Sequence, residues 1–200
     1  MRRKTLDGLL IATGSVVALV LLAAGGLLFW ANSFIGNEVH DQLAMQDITM
    51  PTKDSLETQA QHDALDQYAG QQMTDGDQAK AYADHYILVH MNEASGGKTY
   101  SEVSGEYIAM TQDPNADPKK LEELGNLRQT LFMGNTLRGL LLNAYAFDTM
   151  GEIAGYAAVA SFGGAGILLV LTTLGVGHMR RTPAEAEVGI GHRTPVASGV

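Results

Sequence analysis

Two uncharged apolar runs constrain this chain more than anything else in it. Leu9 to Trp30 holds no Asp, Glu, Lys or Arg over 22 residues, and Ile153 to Gly177 holds none over 25. A helix rises about 1.5 Å per residue, so ~20 apolar residues cross the ~30 Å core of a bilayer. Both runs are long enough. Arg2-Arg3-Lys4 precedes the first run, and Trp30 stands at its far end, where an amphipathic ring suits the headgroup region. A secretory signal would carry a shorter apolar stretch, ~7–15 residues, and a small-x-small cleavage site. No clean site of that kind precedes Asn32, so the run reads as an uncleaved anchor. Arg180-Arg181 follows the second run. Basic flanks stay on the cytoplasmic side, and both then fall on one side, as two passes require. The competing reading of the second run is the core helix of a soluble protein; its length and basic stop weigh against that.

The expected fold is all-α, with two transmembrane helices flanking a small extracytoplasmic helical domain. Its parts are a cytoplasmic N-terminus (1–8), transmembrane helix 1 (9–30), the extracytoplasmic domain (31–150), transmembrane helix 2 (151–179) and a disordered cytoplasmic tail (180–200). The expected location is the plasma membrane, two-pass, with both termini cytoplasmic.

The formal net charge of -9 hides an asymmetry. Between Gly36 and Met150 there are 7 Lys/Arg against 18 Asp/Glu, a balance of -11, while the flanks of the apolar runs are basic. An acidic domain repels phosphate backbones, which argues against nucleic acid as a partner. Without cysteine there is no disulfide, thiol chemistry or Cys-ligated metal.

The middle segment shows helical spacing and no sustained strand alternation. A short helix is expected at Glu38–Gln46, with Val39, Leu43 and Gln46 on one face and Pro51 closing it. Pro51–Glu57 reads as a polar linker. A second helix is expected at about Thr58–Met73, its apolar side including Ala60, Leu65 and Met73. A third, about Gln78–Glu93, follows the break at Thr74-Asp75-Gly76-Asp77, with Ala79, Tyr82, Tyr86, Val89 and Met91 inward and Ile87 and Leu88 widening that face. Ser95-Gly96-Gly97 stops it. Thr99 and Glu102 form a capping box for a helix at Tyr100–Thr111, with Val103, Tyr107, Ile108 and Met110 as core. Asp117-Pro118 opens a fifth helix carrying Leu121, Leu124, Leu127, Leu131 and Phe132. Whether that helix runs on into the second apolar run turns on Gly134 and Gly151. The Arg-Thr-Pro at Arg181 and again at Arg193 reads as coincidence.

No set of residues announces a reaction: no catalytic, cofactor-binding or metal-ligating residue is assigned. Gly96-Gly97-Lys98-Thr99 imitates part of a phosphate loop, but the first glycine of that motif is replaced by Asn92 and a helix precedes it, so no nucleotide is expected. His85 and His90 lie five apart, where helical metal pairs need three or four. The acidic group Asp113, Asp117, Glu122 and Glu123 lacks the spacing and central glycine of a calcium loop. Asp148 and Glu152 read as hydrated carboxylates at the outer rim of the second span. The better interaction signal is a small-residue stripe on that span: Gly151, Gly155, Ala157, Ser161 and Ala165. Small side chains let helices approach closely in lipid, here within the chain or onto another protein.

His40-Asp41-Gln42-Leu43, Tyr68-Ala69-Gly70-Gln71-Gln72, Lys80-Ala81-Tyr82-Ala83-Asp84, Gly97 through Ser104 and Thr136 through Tyr145 carry a family likeness. Over about residues 1–180 the chain resembles an uncharacterised group of actinobacterial two-span integral membrane proteins. The resemblance implies an exported domain in a monoderm or mycolate-type envelope and brings no catalytic residues. The expected role is a non-enzymatic accessory, scaffold or assembly subunit of a larger cell-envelope or respiratory membrane complex. Its partners would be the lipid bilayer and other membrane subunits or a second copy. The alternative is an extracytoplasmic sensor or ligand-binding module, with Tyr68, Tyr82, Tyr86, Tyr100 and Tyr107 lining a pocket.

Overall fold

The computed structural model describes residues 3–183, and every regular element in that range is helical. Arg2 and most of the tail, including the second Arg-Thr-Pro, lie outside the described residues. Six α-helices follow in order: α1 (Arg3–Ala44), α2 (Gln59–Leu65), α3 (Gly76–Tyr82), α4 (Leu88–Ser95), α5 (Tyr100–Thr111) and α6 (Pro118–Arg181). Single 3-10 turns lie at Lys53–Ser55 and Asp66–Tyr68, and a π turn at Ala83–Ile87 joins α3 to α4. Helices α1 and α6, 42 and 64 residues long, are apolar enough to cross a membrane. The chain divides into two compact units, Ala31–Ile153 and the flanking ends, Met1–Trp30 with Ala154–Val200.

Within the unit of the two ends, α1 and α6 pack antiparallel. A Cβ placed on Gly8 would approach Met179, on Gly14 Thr172, on Gly164 Leu21, and on Gly25 the Phe162 ring. The partners on α6 descend as those on α1 ascend. Ala18 and Ala165 are wholly buried and Ala158 nearly so, while Leu9, Leu19, Leu27, Val159 and Leu171 point outward. At each close approach a glycine of one helix receives a side chain of the other, and many of the large apolar side chains face away from the seam, the arrangement expected where lipid is the solvent.

In the Ala31–Ile153 unit the core gathers Leu43, Met50, Leu65, Met73, Val103, Leu131 and Leu141. Glu38–Gln46 is not a separate helix but mostly the last turns of α1. Pro51 does not end it: α1 stops at Ala44, and the left-handed Asp47 (φ 51°) turns the chain. Gln72 Nε2 then donates to the Ala44 carbonyl at 3.2 Å, and residues 48–50 pair briefly with 70–73 through Met50 N to Gln71 O and Met73 N to Ile48 O, both 2.8 Å. Gln46 and Ala60 are exposed.

Three helices start on reciprocal caps. Thr58 with Gln61, Asp75 with Gln78, and Thr99 with Glu102 each exchange backbone and side-chain bonds. Burial of Gln61 and Gln78 follows from this, since each amide oxygen accepts two backbone N–H groups that otherwise have no helical partner. Asp117 accepts from Lys119 N at 2.9 Å at the start of α6. Gly96 and Gly97 take φ of 62° and 83° after α4, a left-handed stop that only glycine adopts without steric cost. Helix α6 continues through Gly134 and Gly151 without a break.

Candidate functional site

The small-residue stripe expected on the second span is spread over two surroundings. Gly151 is buried in the helical unit, where its carbonyl accepts from Asn32 Nδ2 at 2.8 Å and a Cβ would press on Ile35. Ala165 is buried in the unit of the ends. Ser161 turns its hydroxyl back to the Ala157 carbonyl at 2.8 Å, and Gly155 and Ala157 are half-buried.

The rest of the interest lies on α6 between Leu131 and Met150. This stretch contains two charged residues, Arg138 and Asp148. Both turn inward. Arg138 Nη2 donates to Asp84 Oδ1 at 2.7 Å, and Lys80 Nζ reaches Asp84 Oδ2 at 2.7 Å one helical turn before it. The Lys80 bond, with that of Arg138 added, holds the Asp84 carboxyl below its ordinary 3.8, and the same bond raises Lys80 above 10.5. Lys80 also stands 5.3 Å over the Tyr145 ring. Asp148 is half-buried and bonded rather than simply hydrated: its Oδ2 accepts from Gly76 N at 2.8 Å, at the start of α3, where a negative charge meets unpaired N–H groups. Gly76 is required there, because a Cβ would lie 2.6 Å from Asp148 Cβ and 2.9 Å from Tyr145 Cα.

With its charges spent inward, α6 shows an outer face of Phe132, Met133, Leu140, Phe147 and Met150, each more than half exposed, with Leu137 at 36%. Phe132 was expected in the core, as was Ile108; both are about half exposed. Their helices are apolar on more than one side, and of the residues expected inward Leu131 and Val103 are the ones fully buried.

Beside this face lies an open groove of about 320 Å³, lined by Tyr82, Tyr86, Ile87, His90, Met91, Met133, Gly134 and Leu137. Tyr82 stacks on Tyr86 (4.9 Å between centroids), and the His90 ring lies tilted against Tyr86 (4.3 Å). Burial pushes the Tyr82 hydroxyl above its usual value. Tyr100 and Tyr107 belong to a separate, more polar hollow with Arg128, whose guanidinium sits 5.1 Å from the Tyr107 ring. The five tyrosines therefore do not line one pocket.

The histidines have local occupations. His62 Nδ1 pairs with Asp66 at 2.9 Å, and His90 Nδ1 donates to the Tyr86 carbonyl at 2.7 Å. Among the described residues no three His, Asp or Glu come together as a metal site. Lys98, the lysine of the glycine pair, is held by Glu106 at 2.7 Å. No family model, curated protein or solved structure matches the chain.

Proposed function

We propose that the protein is a non-enzymatic, two-pass integral membrane protein of the plasma membrane, an accessory, scaffold or assembly subunit of a larger cell-envelope or respiratory complex. Both termini are cytoplasmic and residues 31–150 are extracytoplasmic in this reading. The observation that carries it is the outer face of α6, where six large apolar side chains are exposed and the only two charges of the segment are turned away. They expose on the order of 600 Å², at the upper end of the largest patch an ordinary monomer shows. Such a face is built to meet another polypeptide. The basic residues that flank the two apolar runs support the orientation.

The test is native mass spectrometry of the full chain, released from membranes in mild detergent. A complex with a second polypeptide in fixed ratio is expected, and Phe147→Glu should release it. A bare monomer in detergent and in membranes overturns the docking role. A complex holding only copies of this chain removes the accessory-subunit part and leaves α6 as a docking helix. Orientation is read separately: Ser101→Cys should react with a membrane-impermeant maleimide on intact cells, and protection there with labelling after lysis reverses the topology.

A second reading, a sensor or ligand-binding module, is favoured by the tyrosine-walled groove, whose volume reaches the lower range of small-molecule sites, ~300 Å³. A fluorescent fatty acid should then bind saturably and be excluded by Gly134→Leu. Equal binding by the variant removes this reading.

A further inference from the structure

The tyrosine-walled groove holds three soft donors that the fold does not use up. We propose that it binds a soft monovalent metal ion, Cu(I), through His90 Nε2 and the thioether sulfurs of Met91 and Met133. This ligand belongs to the second reading above, in which the groove is a binding site. The three side chains line one groove from facing walls, His90 and Met91 on α4 and Met133 on α6. A Cβ on Gly134 would lie 2.6 Å from Met91 Sδ, so this sulfur rests on the α6 backbone beside Met133. Met133 is 56% exposed, and its unbranched side chain turns about three bonds, which brings its own sulfur within reach of that place. His90 is already oriented: its Nδ1 lies 2.7 Å from the Tyr86 carbonyl. A carbonyl oxygen only accepts, so in the neutral ring Nδ1 carries the proton and Nε2 keeps its lone pair. Ligating histidines donate their second nitrogen in this way, which fixes ring and tautomer before the metal arrives. The π turn at Ala83–Ile87 leads directly into this wall, and such turns recur at functional sites.

The donor set selects the metal. Among the described residues no carboxylate lines the groove, and Thr130 turns its hydroxyl to the Asn126 carbonyl at 3.0 Å. The chain has no cysteine to supply a thiolate. Calcium and magnesium need several oxygens, and zinc needs imidazole, carboxylate or thiolate at most of its positions. One imidazole and two thioethers satisfy neither. Thioethers are soft donors and suit Cu(I). All three ligands are neutral, so the bound ion keeps its charge. The faces of Tyr82 and Tyr86 favour that charge at close range, and the balance of -11 between Gly36 and Met150 favours it at long range.

The test is titration of the full chain in mild detergent with Cu(I), under reducing and oxygen-free conditions, against the chelator bicinchoninate. Circular dichroism checks the helix content of every variant. One equivalent held against the chelator is expected. Met91→Leu, Met133→Leu and His90→Ala should each weaken it at least tenfold, whereas Met150→Leu and His40→Ala, outside the groove, should change it less than twofold. Ag(I), the redox-inert counterpart, should shift the methyl carbon resonances of Met91 and Met133 and leave that of Met150 in place. Zn(II) in tenfold excess should not displace Cu(I). No equivalent held by the wild type, full retention by the Met91→Leu and Met133→Leu double variant, or equal binding of Zn(II) overturns the site. The fatty acid separates this failure from that of the groove. Saturable fatty-acid binding without Cu(I) binding ends the metal site and leaves the ligand-binding reading standing; binding of neither ends both.

Discussion

The paired ends and the helical unit they flank are held by opposite means. In the ends, two long helices meet along glycine and alanine, and adding atoms to the seam is what does harm. In the helical unit, short helices meet around leucine and methionine, and what fixes them is where polar atoms find partners: three reciprocal caps, the Asp84 cluster and Asp148 on Gly76. Apolar content does not separate the two regions, since α6 is rich in leucine in both. The separation lies in whether the few polar groups have work to do.

Glycine substitutions test the contrast most strongly. Gly76→Ala should cost about 3 kcal/mol or prevent folding, because its Cβ meets backbone at Tyr145 as well as Asp148. Gly105, with nothing within 4 Å of a Cβ, should accept alanine and gain up to ~1 kcal/mol. Thermal denaturation of the full chain in detergent reads both. In the ends, Gly25→Leu should destabilise by roughly 2 kcal/mol against the Phe162 ring, while neighbouring Gly26→Leu, facing open space, should be near neutral. Equal effects at 25 and 26 would mean the small-residue seam does not determine the pairing.

Arg138→Ala sharpens the other half of the contrast. It strips Asp84 of one of two cations in a half-buried cluster and should cost about 1–2 kcal/mol at pH 7. Asp84 titrates below 3.8 when folded, so its stabilising contribution is complete above the unfolded value and fades as pH falls through the folded one. The melting gap between wild type and Arg138→Ala should therefore narrow as the solution is taken from pH 7 below pH 3.8. The smallest loss among the polar contacts is expected from Gln78→Ala, about 1 kcal/mol, since two backbone N–H groups at the start of α3 lose their acceptor.

Much of this was legible in the residues. The two apolar helices, the box at Thr99 and Glu102, the Asp117-Pro118 start and the Gly96 stop all stand where their local chemistry places them. The boxes at Thr58-Gln61 and Asp75-Gln78 carry the same spacing and could have been read the same way, with glutamine in the glutamate's place. Other features have no local signature. Which side of α6 becomes core depends on α3 and α5 packing there, and Phe132 is as apolar as Leu131. Asp148 finds its donor 72 residues away. Gly134 and Gly151 do not break α6, because a glycine costs a helix only ~1 kcal/mol and intact turns on both sides outweigh it.

The third helix keeps Ala79, Ile87 and Met91 buried with Tyr82 and Tyr86 packed beside them, but the expected regular helix contains a π turn, which matters beyond it. Its buried column is Ala79, Ala83, Ile87, Met91 and Ser95, each four residues after the last. On a regular helix such a column creeps about 40° round the axis per step. The slack turn at Ala83–Ile87 takes up that creep and keeps all five on one side. The element therefore depends on its residue count as well as on its composition. Loss of a single residue there would leave a better helix, yet it would aim Ile87, Met91 and Ser95 past the core they now meet. Substitutions in this stretch change the fit; a one-codon deletion changes the alignment of everything downstream in α4.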